Sequence, residues 1–271
     1  MPIANLSNGL AMYYEDDCYA DPWKTPDTVL LHHGNAKNSA LWYAWVPLLA
    51  RQYRVIRVDA RGFGKSSVPP PGYDWSLSGF GNDVLNLLDV LNIDRVHYIG
   101  ETIGGTIGLQ FAYEHPERLK TLTTCTSPYK FVGVPTYLES HDLVKTEGVA
   151  SWVSKTADRR LEPGKSDPEH HRWYADQMSQ TSQHVVVETL QYLSRQDLTE
   201  ILPFIQVPTL VMVGKDSAMN TVDRGKVMAE LLPNGQLAEI AGGSGYIQHS
   251  DPESCVSRWR EFLGNLAHSG I

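Results

Sequence analysis

The sequence predicts an α/β fold: a mostly parallel sheet with helices on both faces and a helical cap. Three observations carry this. Short apolar runs alternate with segments of helical period along most of the chain. The stretch VHYIGETIGGTIGLQFA, Val96 to Ala112, reads as a buried strand, a very tight turn and a helix. One long interval, 128–203, breaks the alternation. Apolar strands alternating with helices favour a parallel sheet covered on both faces.

The elements follow in order. GLAMYYEDD and then TVLL, Thr28 to Leu31, form the opening strands. Tyr53 to Val58, Arg95 to Ile99, the run from Leu119, Thr209 to Val213 and GQLAEIAGG supply the others. Between them, Leu77 to Leu91 carries apolar residues at spacings near the helical period, as do Gly104 to His115 and Arg224 to Leu232. Glu253 to Leu266 closes the chain as a helix. The interval 128–203 is rich in Trp, Tyr, His and charge, with no clear buried strand. A structureless loop of that length is uncommon. It is read as a helical cap inserted into a core made of 1–127 and 204–271. Ligands of open α/β sheets bind at the carboxyl edge of the strands, where such a cap would lie.

Composition bounds the function. The chain has 271 residues, 42% hydrophobic and 20% charged, enough to bury a core without staples. A net charge of −8 argues against nucleic acid or an anionic membrane as partner. Cys18, Cys125 and Cys255 are far apart and form no metal or redox motif, so free thiols are expected. The N-terminal stretch does not read as a signal peptide, and no run approaches the ~20 apolar residues of a membrane span. The expectation is a cytoplasmic monomer or homodimer that takes a small-molecule substrate, needs no cofactor and holds no metal. The pair His170-His171 beside Asp167 and Glu169 offers no convincing ligand set and reads as solvated surface.

Chemistry centres on Gly100-Glu101-Thr102-Ile103-Gly104, a match to G-x-nucleophile-x-G between a strand and a helix. Glycines allow a sharp turn that presents one side chain at the sheet edge. The N–H of Ile103, at a helix N-terminus, can stabilise a developing oxyanion. With this elbow, LLHHGNAKNSALW, VDARGFGKSS, FAYEHPERLKTLTT, VPTLVMVGKD and GGSGYIQHSDPE stand in order along the chain. Together they resemble the α/β-hydrolase family, in its small esterase and enol-lactonase-like branch. The resemblance covers nearly the whole chain. It implies hydrolysis of a small ester, lactone or related carbonyl compound, with Gly34, Asn35, His33 and Ile103 around the oxyanion site. It also implies an acid at Asp216, after the strand TLVMVG. Asp216 is one residue short of the common Gly-x-x-Asp spacing, and Asp223 is a weaker candidate.

Two positions depart from the family. The nucleophile position holds Thr102, a β-branched residue where the backbone should have positive φ. Thr102 is either a hindered nucleophile or a side chain that packs and binds. The family's histidine stands seven residues before the proline of the last helix, and here that place is Gly245. A hydroxyl nucleophile without a neighbouring base attacks poorly. His249 could act only if its loop were slipped inward. Glu101 is expected to pack behind the elbow, away from the cleft. The readings left open are an altered hydrolase, a binding protein that has lost its triad, and a member turned to proton-transfer lysis.

Overall fold

The computed structural model describes residues 2–161, 167–217, 220–241 and 245–269. Eight strands form one sheet: β1 Ile3–Asn5, β2 Ala11–Asp17, β3 Thr28–His32, β4 Arg54–Val58, β5 Val96–Glu101, β6 Leu119–Cys125, β7 Thr209–Gly214 and β8 Gly235–Ile240. Their order is β1-β2-β4-β3-β5-β6-β7-β8. β1 and β2 pair antiparallel at one edge, and every pairing from β4 to β8 is parallel. β1 was not anticipated. Three residues are too few to show an alternating pattern.

The helices are α1 Val46–Leu49, α2 Leu77–Val90, α3 Ile103–Glu114, α4 Pro135–Lys155, α5 Pro168–Ser179, α6 Gln183–Leu193, α7 Val222–Leu231, α8 Ile247–Ser250 and α9 Pro252–Ser269. Strand alternation sends neighbouring residues to opposite faces. Leu30, Ile56, Tyr98, Leu122 and Val211 join the core under α2, α3 and α7. Val29, Leu31, Val55, Ile99 and Met212 join a second core with Trp42, Trp45, Trp259 and Phe262. Some helix starts carry an ordinary side-chain cap. Ser76 accepts from Gly79 N–H ahead of α2, and Thr221 from Arg224 N–H ahead of α7.

After β6 the chain leaves the sheet and returns at β7. Between them lie α4, α5 and α6, with only an isolated bridge from Lys130 to Asp197 among the described residues. α4 is broken at Gly148, which has φ 86°. These helices share a core of their own, in which Val144, Trp152, Tyr174, Met178 and Leu190 pack against Ala36 and Leu41. The loop after β3 is thereby fixed to the helical segment, and a cavity is left between that segment and the elbow.

Candidate active site

β5 ends at Glu101 and α3 begins at Ile103, so Thr102 alone makes the turn, at φ 46° and ψ −118°. A side chain on Gly100 would collide with the carbonyl of Gly104, and one on Gly104 with the carbonyls of His32 and His33, so both ends of the elbow are glycine. Positive φ at a β-branched residue costs about 1–3 kcal/mol, and such strain gathers at functional sites. Thr126, after β6, has φ 51°, and Ala36, after β3, has φ 55°. Three loops that meet at this edge of the sheet therefore hold strained backbone.

Thr102 lines a cavity of about 730 Å³, part of it open to solvent. Asn35, Ile103, Thr126, Asn220 and Gly245 line it from the sheet side. Tyr137, Trp152, Met178, Leu190 and Leu193 line it from the helical segment. Among the described residues that line it, Arg159 is the one charged residue, and it is exposed. The fold thus brings together Thr102, Ile103, Asn35 and Gly245 of the residues singled out by sequence. Ile103 opens α3, and first-turn N–H groups have no partner within their helix.

Other expected members stand elsewhere. Gly34 does not offer its amide to the cavity: its N–H donates to Glu101 Oε1 at 3.1 Å. Gly34 serves instead by lacking a side chain, because a Cβ there would run into Thr102 Oγ1. His33 was expected to line the cleft, but it is buried behind the loop. Its Nε2 accepts from Ala60 N–H at 2.9 Å, which leaves Nδ1 to donate to the Gly34 carbonyl at 2.7 Å. Burial lowers its pKa to about 4, so it is a neutral strut between two loops. Asp216 is exposed in the turn after β7 and does not line the cavity, and Asp223 is exposed too. Ser217, third after Gly214, is buried, and its place is the one the common spacing gives to the acid. Its hydroxyl accepts from Asn220 N–H at 3.2 Å.

His249 is buried and also absent from the cavity wall. Its Nε2 lies 2.8 Å from Glu101 Oε2, and the Leu41 carbonyl takes its other polar contact. Burial lowers its pKa more than Glu101 raises it. A loop slip that aims His249 at Thr102 is not what the fold does. The histidine turns behind the elbow because Glu101 is there.

Glu101 is the centre of that second region. It is completely buried and accepts from Lys37 Nζ at 2.7 Å, from Gln248 Nε2 at 2.5 Å and from the Gly34 amide. Burial alone would raise its pKa, but His249 and Lys37 outweigh it and hold the carboxyl well below the usual range. Lys37 is 2% exposed, with Nζ 3.9 Å from the Tyr246 ring centroid and 5.5 Å from that of Tyr174. Burial brings its pKa down to about 8, against the pull of Glu101. Neither Glu101 nor Lys37 lines the cavity, and Tyr246 does.

Sequence reading missed Lys37, Thr126, Trp152 and Asn220. Lys37 gave a faint signal, a lone lysine in the largely uncharged run HHGNAKNSALW. The other three become notable only when distant segments meet. Among the described residues no group of three or more His, Cys, Asp or Glu could hold a metal. No described helix is long and apolar enough to cross a membrane.

A family model for the alpha/beta hydrolase fold matches residues 27–252. This chain belongs to the α/β hydrolase fold family. It is 25% identical over 241 residues to 3-oxoadipate enol-lactonase 1 of Acinetobacter baylyi, covering 83% of this chain and 84% of that protein. It is 29% identical over 241 residues to a protein named a carbamate hydrolase, RutD, of Yersinia enterocolitica, covering 86% and 84%. In structure it resembles the enol-lactonase of Burkholderia xenovorans LB400, with a TM-score of 0.89, 22% identity and coverage of 97% and 100%. A thermophilic esterase of Thermogutta terrifontis follows at a TM-score of 0.86, 23% identity and coverage of 98% and 99%.

Proposed function

We propose that this chain keeps the ligand pocket of a small-molecule hydrolase and has lost the means to hydrolyse quickly. The ligand belongs to the ester, lactone or related carbonyl class, as the names of its relatives suggest. One observation carries the reading. The base position is Gly245, and the nearby His249 is committed to Glu101. A threonine hydroxyl needs a base to attack well, and residual rate then rests on binding and oxyanion stabilisation.

Glu101 is not a substitute base. Its oxygens are taken by Lys37, Gln248, His249 and the Gly34 amide, and it does not line the cavity. What supports binding is intact: the apolar walls, Ile103 at the head of α3, and the helical segment between β6 and β7 acting as a cap. In this reading Thr102 packs against Gly34 and contacts ligand. Restoration tests it. The variant Thr102→Ser with Ser217→Asp and Gly245→His, and the Thr102→Ser with Gly245→His pair alone, are assayed on p-nitrophenyl esters beside the unmodified chain. The triple variant is expected to gain at least about a hundredfold, since triad members act as a unit. Equal rates in the unmodified and restored proteins would refute the proposal.

A further inference from the structure

Four buried polar atoms without a protein partner belong to residues that line this one cavity: Asn35 Nδ2, Thr126 Oγ1, Trp152 Nε1 and Asn220 Oδ1. Thr126, Trp152 and Asn220 are each more than nine-tenths buried. Buried polar side chains are nearly always paired, so these four leave room for a partner from outside the chain, a ligand or water.

The hydrogen-bond character of each atom is fixed by its own neighbours. The Asn220 amide nitrogen donates to the Ser127 carbonyl at 3.1 Å. A carbonyl can only accept, so the amide cannot be flipped, and the atom Asn220 leaves unpaired is an acceptor. Asn35 is set the opposite way. Its Oδ1 accepts from Ala36 N–H at 2.9 Å, and a backbone N–H can only donate. Asn35 therefore presents a donor. The Trp152 indole N–H is a donor by chemistry, and the Thr126 hydroxyl serves as either.

We infer that the cavity is built for a neutral, apolar-bodied molecule that carries both a carbonyl oxygen and a hydroxyl group. The carbonyl accepts from Asn35 and Trp152, and the hydroxyl donates to Asn220. The inference rests on the pocket reading above and narrows its ligand class. Charge supports it, because among the described residues the only charged one that lines the cavity is the exposed Arg159. A carboxylate or ammonium ligand would enter a largely apolar chamber with no buried counter-charge among the described residues of its wall. Asn220 then discriminates. A site that holds a ligand hydroxyl rejects the analogue without it, because its own buried acceptor is left unmet.

Ketones cannot be hydrolysed, so they separate this test from the question of turnover. The probes are pentylcyclopentanone, the series hydroxylated at each side-chain carbon in turn, and pentylcyclopentane. Binding is measured by calorimetry on the full chain. At least one hydroxyketone is expected to bind at least about tenfold tighter than the parent ketone, the value of one hydrogen bond. The parent ketone is expected to bind more tightly than the hydrocarbon. In Asn220→Leu the hydroxyl preference should fall to within about twofold. In Trp152→Phe it should persist while overall ketone affinity drops. Trp152→Phe keeps an aromatic ring in place, so it covers the case in which Asn220→Leu does not fold. Equal affinity across the series would overturn the hydroxyl assignment and leave the pocket standing, with water alone meeting the four atoms. A hydroxyl preference that survives Asn220→Leu would remove Asn220 from the account. No binding by any ketone would overturn both the inference and the pocket reading.

Discussion

Glu101 and Thr102 are consecutive, yet they belong to two differently finished regions. Behind the elbow, Glu101 has every neighbour a buried carboxylate needs: a lysine, a histidine, a glutamine amide and a backbone N–H. In front of it, Thr102 is strained and faces a cavity, four of whose lining residues carry a buried polar atom without a protein partner. One region is satisfied from within the fold. The other, on the proposal above, is completed by a ligand. The contrast separates what the elbow does for the structure from what it offers to chemistry. The first region holds the sharp turn from behind, and the second is where the turn meets the cavity.

The largest effect should come from breaking the satisfied side. Glu101→Gln leaves Lys37 buried without its counter-charge, and removing one partner of a buried pair costs about 3–5 kcal/mol. Urea unfolding at neutral pH should show a loss of that order, and a loss under about 1 kcal/mol would mean the cluster contributes little. Its pH dependence has a definite sign. The Glu101 pKa is depressed in the folded chain, so its stabilisation is present above the ordinary value of 4.5 and fades as pH falls through the folded value. The gap between the parent and Glu101→Gln should therefore narrow below pH 4.5. A gap that widens in acid would reverse the assignment.

A smaller effect tests the seam between the regions. Gly34→Ala drives a methyl group into Thr102 Oγ1, and overpacking of this kind costs about 1–3 kcal/mol. Adding Thr102→Gly removes the obstacle and the positive-φ strain together, so the double variant should recover most of the loss. Additive losses in that cycle would show that the two residues are not in contact. The smallest effect is at Asp216. It is exposed and outside the cavity, so Asp216→Asn should change stability by no more than about 0.5 kcal/mol and leave ligand affinity alone.

Much of this was legible in the sequence because it is local. The buried strands, the helices α2, α3, α7 and α9, and the elbow are written in short stretches whose pattern decides them. The site was legible only in part. Thr102, Ile103, Asn35 and Gly245 meet as their motifs imply. The acid did not, because a one-residue difference in a turn decides whether a side chain faces in or out. Asp216 took the solvent side and Ser217 the buried one. The Glu101 cluster was hidden for another reason. Its members Lys37, Glu101 and His249 are distant in sequence, and a lysine gives no sign of burial until its partner is placed. His33 likewise revealed its strut role only when Ala60 came beside it.

The central claim is that the pocket remains while fast hydrolysis is gone. The most direct measurement is the steady-state turnover of p-nitrophenyl esters by the unmodified chain. The account predicts slow or no turnover, without the saturation of an efficient enzyme, because the base position is Gly245 and His249 is held by Glu101. A saturable reaction with kcat/KM of ~10⁴ M⁻¹s⁻¹ or more, the range of working enzymes, would contradict it.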